Sequence, residues 1–395
     1  MDFRRINGLP PYVFGIIDTI KLELRRTGED VIDLGFGNPD IPSPELSVRK
    51  LAEAAQNPRN HRYSSSKGIP NLRKAIADLY LRKYNVELDP ATEVVTTIGA
   101  KEGLSHLMWV LVGPGDTALV PSPSYPIHIW APLFAGAEVR QVRLGESGSS
   151  PETFWENLLE AYESTWPKPR VIVVSFPHNP TTMCVDLPWM ERLVKFARER
   201  GVIVVHDFAY SDTYFDGYRP PSILQVDGAK EVAVEFYTMT KSYSMAGWRV
   251  AFMLGNSEVV AALTKLKSYL DYGTFQPIQI AATVTLNEMD EYPLEVNAQY
   301  LERRNALCDG LSKIGWEIEK PHGTMFVWAP IPEPYKEMGS LEFSKFLARD
   351  AHVATSPGNG FGPGGEGFVR FALIENEKRI AQAVRNLKRS LVKLN

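Results

Sequence analysis

The sequence predicts an α/β fold: a large domain built on a mostly parallel sheet flanked by helices, and a smaller α+β domain. Three observations carry that expectation. Helix and strand signals alternate from residue 90 to about 260. The strand candidates are short β-branched runs of the kind buried on both faces of a parallel sheet. With 395 residues, the chain also exceeds what one core supports, at roughly 150 residues per domain.

Taken in order, Ile16–Arg26 is an amphipathic stretch detached from the sheet, an arm or a piece of the smaller domain. Residues 70–84 open on Pro70 and carry Leu72, Ile76, Leu79 and Tyr80 at helical spacing. Glu93–Ile98 reads as a buried strand stopped by Gly99, with a helix from Ala100. Thr117–Pro121, Val171–Phe176 and Val202–Val205 are further strands. Between the last two, Met190, Leu193, Val194 and Ala197 share a helical face that ends at Gly201, a C-cap glycine. Val232–Tyr237 is the next strand, and the C-terminal third offers Trp316–Ile318, Thr324–Trp328 and Val369–Leu373 as strands among helices. The expected divisions are 1–45 (arm and part of the small domain), 46–285 (large domain) and 286–395 (small domain).

Composition excludes several classes. Hydrophobic residues at 44% with 23% charged rule out wholesale disorder. Lys plus Arg 43 against Asp plus Glu 47 gives −4, which argues against a nucleic-acid or anionic-membrane footprint. Two cysteines, Cys184 and Cys308, make no disulfide framework, so a reducing, cytoplasmic compartment is expected. Met1-Asp2-Phe3-Arg4-Arg5 has no apolar segment behind its charges, so no signal peptide is expected. No apolar run reaches the roughly 18 residues of a membrane span. The seven histidines lack HExxH or HxxxH spacing, so no metal site is expected.

The chemistry-bearing segment is Thr238-Met239-Thr240-Lys241-Ser242-Tyr243-Ser244-Met245-Ala246-Gly247-Trp248-Arg249, directly after a strand. A partly desolvated lysine at a strand end has a lowered pKa and can form a Schiff base. Thr238 and Arg249 could give one phosphate a hydroxyl and a fork of donors. Taken alone, the same residues fit a surface lysine beside an arginine. Asp207 ends the Val202–Val205 strand, where α/β proteins bind ligands and a carboxylate can pair with a pyridinium nitrogen; a turn-capping aspartate fits equally. Asn179 follows the preceding strand, although Asn-Pro is also a plain turn signal. Gly99-Ala100-Lys101 joins a strand to a helix N-terminus, a phosphate-binding arrangement. Gly358-Asn359-Gly360-Phe361-Gly362 precedes a strand instead of following one, so it is not a dinucleotide fingerprint. Tyr63 and Tyr125 also fit as core aromatics.

Together these pieces resemble the class I/II aminotransferases of fold type I, which depend on pyridoxal 5′-phosphate (PLP). The likeness runs in order through GNPD (37–40), HRYSSSKGIPNLR (61–73), GAKEGL (99–104), PSPSYP (121–126), FPHNPT (176–181), HDFAY (206–210), TKSYSMAGWR (240–249) and Arg370. A narrower likeness, to bacterial alanine-synthesising and LL-diaminopimelate-type transaminases, lies in LPPYVF, SYPIHIW, KSYLDYGTFQPIQIA and VRFALIEN.

The resemblance implies that Lys241 carries the cofactor and shuttles the proton, and that Asp207 keeps the pyridine nitrogen protonated. Tyr210 and Asn179 would bond the phenolic oxygen, and Tyr125 would stack on the ring. The backbone of Ala100 and Lys101, with Thr238 and Arg249, would hold the phosphate, helped by Tyr63 of a second subunit in a homodimer. Arg370 and the backbone of Gly37 would bind the substrate α-carboxylate. The implied reaction moves an α-amino group between an amino acid and a 2-oxo acid, first among them alanine or glutamate with 2-oxoglutarate or pyruvate. LL-diaminopimelate aminotransferase and a PLP β-lyase are the alternatives. A transcription regulator on this fold is disfavoured, since no basic helix-turn-helix segment precedes the arm. Two departures stand out: Asn-Pro-Thr-Thr follows His178, where Asn-Pro-Thr-Gly is commoner, and residues 250–302 contain no arginine to read a side-chain carboxylate.

Overall fold

A computed structural model describes Leu9 and residues 12–145 and 150–391. The chain divides into two compact units: residues 38–302 with 321–326, and residues 1–37, 303–320 and 327–395. The divisions lie at Gly37 and Glu302, against the expected 45 and 285. The helices Glu45–Ala55 and Gln276–Glu288 pack on each other within the large unit, and the helix Tyr292–Ser312 runs through the second dividing line.

Seven strands form the sheet of the large unit: β1 (Val94–Thr97), β2 (Thr117–Ser122), β3 (Glu138–Arg143), β4 (Val171–Val174), β5 (Ile203–Asp207), β6 (Ala233–Thr238) and β7 (Ala251–Gly255). Their spatial order is β1-β7-β6-β5-β4-β2-β3, and β7 alone runs against the direction of the other six. Parallel strands need crossover connections, and the helices between them cover both faces. On one face Ile172, Val174, Val204, Phe252 and Leu254 pack with the helices Pro70–Tyr84, Pro151–Ser164 and Leu187–Arg200. On the other, Val173, Val205, Val234, Phe236 and Met253 pack with Ala100–Leu111, Pro126–Ala135 and Ser257–Leu270. The two sets alternate along each strand, as the pleat requires.

Local chemistry sets the ends. The helix Pro70–Tyr84 begins on its proline and stops where Asn85 turns left-handed at φ 54°. The helix Leu187–Arg200 is capped by the Asp186 carboxylate, which accepts from the Trp189 N–H at 3.0 Å, and it ends on left-handed Gly201.

The small unit holds the helix Val13–Arg26, which contains the amphipathic stretch at 16–26. Its three-stranded sheet has the order Ser356–Pro357, Phe368–Ala372, Phe326–Pro330. Ile32–Asp33 pairs parallel with Val353–Ala354, and the helices Gly339–Asp350 and Glu377–Ser390 complete the unit. Two sequence expectations need correction here. Trp316–Ile318 is not a strand: the Trp316 indole is buried and donates to the Pro330 carbonyl at 2.9 Å, a side-chain anchor in place of a ladder. The strand expected from Thr324 starts at Phe326, because Thr324 is left-handed at φ 73° and cannot extend a ladder.

The helix Ala100–Leu111 approaches the sheet through Gly103, where a Cβ would lie 2.6 Å from Phe236 Cε1 and 2.8 Å from Thr97 Cγ2. Gly103→Ala is therefore expected to lose about 1–3 kcal/mol of stability through overpacking, outweighing its gain in helix propensity. Urea unfolding at fixed protein concentration measures it. An unchanged midpoint would mean that the helix backs away from the sheet without cost.

Candidate active site

Because β1 to β6 run in one direction, their carboxyl ends share one edge of the sheet, and antiparallel β7 begins at that edge. Open parallel sheets bind ligands there. β1 delivers Gly99, Ala100 and Lys101; β2, Tyr125; β4, Asn179; β5, Asp207 and Tyr210; β6, Thr238 and Lys241; and the approach to β7 supplies Arg249.

Asp207, the last residue of β5, is buried. Its Oδ2 lies 2.8 Å from His128 Nε2, and His128 Nδ1 lies 2.9 Å from the Ser124 hydroxyl. A carboxylate only accepts, so Nε2 carries the proton, and in the neutral ring Nδ1 accepts from Ser124. Asp207 Oδ1 is buried with no hydrogen-bond partner. The Ser124–His128–Asp207 chain had no local signature in the sequence. Ser124 and His128 are four residues apart across a helix start, but Asp207 lies 79 positions beyond His128.

Thr238 ends β6 and caps the short helix Met239–Ser242, its hydroxyl accepting from the Thr240 N–H at 3.2 Å. Lys241 is the third residue of that helix and is half-buried. Register ties the site together: Ala251 of β7 faces both Thr97 and Thr238. Arg249, left-handed at φ 58°, donates to the Ala246 carbonyl at 2.9 Å. Its guanidinium rests where a side chain on residue 99 would be, since a Cβ there would meet Arg249 Nη2 at 2.0 Å. With φ at +82°, Gly99 thus meets two requirements at once: the left-handed turn and the close approach of the arginine to the N-terminus of the helix Ala100–Leu111.

Asn179 and Tyr210 are buried. The Tyr210 ring packs edge-on to Phe326, centroids 5.6 Å apart, and Tyr125 lies 5.8 Å from the His128 ring at 84°. Tyr63 is set on the surface, 83% exposed, against Tyr272 at 4.4 Å. Gly37 and Arg370 belong to the small unit. There Arg370 is buried over the Phe361 ring at 4.6 Å and donates through Nη2 to the Gly35 carbonyl at 3.1 Å.

Burial pushes the Cys184 thiol up to about 12 and the Cys308 thiol up to about 11. Neither is a thiolate nucleophile near neutral pH.

Residues 29–387 match the family aminotransferase class I and II. The chain belongs to that family. It is 51% identical to the glutamate-pyruvate aminotransferase AlaC of Escherichia coli K12, over 98% of this chain and 93% of the relative. It is 41% identical to the LL-diaminopimelate aminotransferase of Moorella thermoacetica, over 100% and 99%. Among solved structures, substrate-bound BacF of Bacillus subtilis superposes with a TM-score of 0.91 at 34% identity, covering 100% of this chain and 98% of that one. The expected class I/II, fold type I aminotransferase is thus what the chain is. Among the described residues no helix is long and apolar enough to cross a membrane.

His178, beside Asn179, is fully buried, with Nδ1 2.8 Å from the Thr181 hydroxyl. Burial first, and then the nearby His128, hold its pKa down at about 3. An unfolded histidine titrates near 6.5, so between the two values the unfolded state holds the extra proton. The stability contributed is complete above the unfolded value and is lost as pH falls towards about 3. One such proton gives a slope of about 1.4 kcal/mol per pH unit. His178→Asn is expected to flatten the stability profile between about pH 6 and 5 by most of one proton, since carboxylates barely titrate there. Urea midpoints across that window test this, and parallel wild-type and variant profiles would contradict it.

Proposed function

We propose that this aminotransferase uses pyridoxal 5′-phosphate and exchanges amino groups between alanine or glutamate and 2-oxoglutarate or pyruvate. The observation that carries the cofactor reading is the buried Asp207 carboxylate, with Oδ2 on His128 and Oδ1 without a hydrogen-bond partner. An unsatisfied buried acceptor costs about 1–3 kcal/mol or more, and a protonated pyridine nitrogen is the donor that answers it. The other groups suit the remainder of the cofactor. The N–H groups of Ala100 and Lys101, the Thr238 hydroxyl and the Arg249 fork suit a phosphate. Asn179 and Tyr210 suit its phenolic oxygen, and Tyr125 its ring face.

When bound, PLP supplies an electron sink for the weakly acidic Cα–H of an amino acid. Asp207, held by His128, would meet the protonated ring nitrogen. Lys241 Nζ would hold the cofactor and would serve as the base for the substrate Cα proton. Arg370 grips the α-carboxylate as a fork, a geometry lysine lacks, with the Gly37 backbone beside it. Phe361 and the Gly35 carbonyl hold that guanidinium in a fixed plane.

The working unit we propose is a cytoplasmic homodimer in which Tyr63 serves the second subunit's phosphate site. Tyr63 is exposed on Tyr272, and Tyr269, Leu270 and Phe275 of the same segment are exposed too, an apolar surface suited to a second copy. For the substrate, the 51% identity with a glutamate-pyruvate aminotransferase supports alanine and glutamate. The absence of arginine from residues 250–302 argues against aspartate.

Borohydride reduction is expected to fix the cofactor on the peptide containing Lys241; an adduct on another lysine would overturn the site. In kcat/KM comparisons, alanine and glutamate should exceed aspartate. Aspartate leading tenfold, about 1.4 kcal/mol of transition-state preference, would overturn the substrate reading, and LL-diaminopimelate leading would replace it.

A further inference from the structure

Directly behind Asp207, on the opposite face of the sheet, lies a polar cluster that the reaction does not touch. His206 and Glu235 are fully buried and face each other across β5 and β6. His206 Nδ1 lies 2.7 Å from Glu235 Oε2, and His206 Nε2 meets the Phe176 backbone, 3.2 Å from its N–H and 3.3 Å from its carbonyl oxygen. A carboxylate only accepts, so Nδ1 carries a proton towards Glu235, while Nε2 holds the Phe176 backbone through its N–H and carbonyl. The carboxylate is fully subscribed: Oε1 accepts from the Tyr80 and Ser222 hydroxyls, both at 2.7 Å, and Oε2 also accepts from the Ile223 N–H at 2.9 Å.

Burying an ionised carboxylate costs more than burying a leucine of similar size unless every acceptor is answered. Solubility cannot explain it, since no atom reaches water. The surrounding strands suggest what it does. β4 reads Val-Ile-Val-Val and β5 begins Ile-Val-Val, apolar on both faces. Register in a sheet is set by the contrast between a buried and a solvated face, and these strands have none. Along β4 and the first three residues of β5, a one-residue slip would exchange one branched apolar residue for another; at His206 and Glu235 it would leave a buried carboxylate and an imidazole without partners.

We propose that His206 and Glu235 are positioning residues that fix the mutual register of the three strand ends carrying Asn179, Asp207 and Lys241. His206 grips Phe176, three residues before Asn179, and is itself the residue before Asp207. Glu235 lies three residues before Thr238 and six before Lys241. One imidazole-carboxylate pair therefore ties β4, β5 and β6 just short of the edge where their residues must meet a single cofactor. The inference rests on the cofactor roles proposed above for those residues.

Three conservative variants separate its arms. His206→Asn retains a donor towards Glu235 but not the contact with Phe176; His206→Gln does the reverse; Glu235→Asp keeps the charge but withdraws it from His206. Leu193→Ala, a buried substitution in the same apolar layer, is the control for lost stability alone. Each purified PLP-loaded enzyme is compared for thermal midpoint, kcat, KM, PLP dissociation constant and the pH midpoint of its visible absorption band. The expected result is a kcat at least tenfold lower in all three, with weaker PLP retention and a displaced absorption midpoint. Leu193→Ala should lose thermal stability with kcat within twofold of wild type. If any one variant does not fold, the other two still decide. Variants with lowered thermal midpoints but wild-type kcat and absorption would overturn the proposal, leaving the cluster a purely structural one. Borohydride mapping on the wild type keeps the two levels apart. An adduct away from Lys241 defeats the cofactor reading itself, whereas an adduct on Lys241 with unaffected variants defeats only the positioning role.

Discussion

A carboxylate at the end of a buried strand is the constraint around which the large unit is arranged. Asp207 is almost wholly buried, so its charge is met from within the site, by His128 at Oδ2 and, in the function proposed above, by a cofactor at Oδ1. His128 can do so only because the helix Pro126–Ala135 lies against the face of the sheet that Asp207 shares with Val205. The strand preceding that helix must therefore run parallel to β5 and end at the same edge. The parallel sheet and its crossover helices bring Asp207, His128 and the polar loops to one edge.

The antiparallel strand β7 solves a second problem. A wholly parallel sheet brings only strand ends to the edge, whereas β7 brings a strand start. Its approach carries Arg249 back over the N-terminus of the helix Ala100–Leu111, where the glycine at 99 leaves room for the guanidinium. Cationic fork, helix N-terminus and Thr238 thus come from three different chain segments yet stay fixed by backbone pairing rather than by flexible loops. Pre-organisation of this kind reduces the ordering cost of binding an anion.

Much of this was legible in the sequence where the signal is local. Pro70 marks the first residue of its helix, Gly201 the left-handed cap of another, and the β-branched runs from 94 to 238 are the strands of the sheet. Ordered motifs pointed to Lys241, Asp207, Arg249 and Arg370 because each sits beside a strand end or a turn with a chemical signature. What stayed hidden is pairing between distant segments. His128 reads as one more residue of an apolar helix, and nothing in its spacing joins it to Asp207. Glu235 lies inside a strand of otherwise mostly apolar residues, and its four donors come from segments up to 155 positions away. Trp316–Ile318 misled for the opposite reason. Its apolar content reflects a buried indole that anchors a loop, and side-chain burial without a backbone ladder leaves the same pattern as a strand.

The distribution of positive charge in residues 250–302 bears on the choice of substrate. With no arginine there, the available cations are Lys265 and Lys267. Lys265 is exposed on its helix. Lys267 is fully buried, and its ammonium is already bound, 2.8 Å from Asp271 and 3.3 Å from Glu102. Drawing it towards a substrate would leave those two carboxylates without their cation, a loss that a buried ion pair resists strongly. This segment therefore offers no uncommitted, shielded cation to a second substrate carboxylate. A short dicarboxylate such as aspartate would have to keep that group hydrated or find its donor elsewhere, while the methyl group of alanine makes no such demand. The absence of arginine from this segment is thus reinforced by an ion-pair network that already holds its one buried lysine.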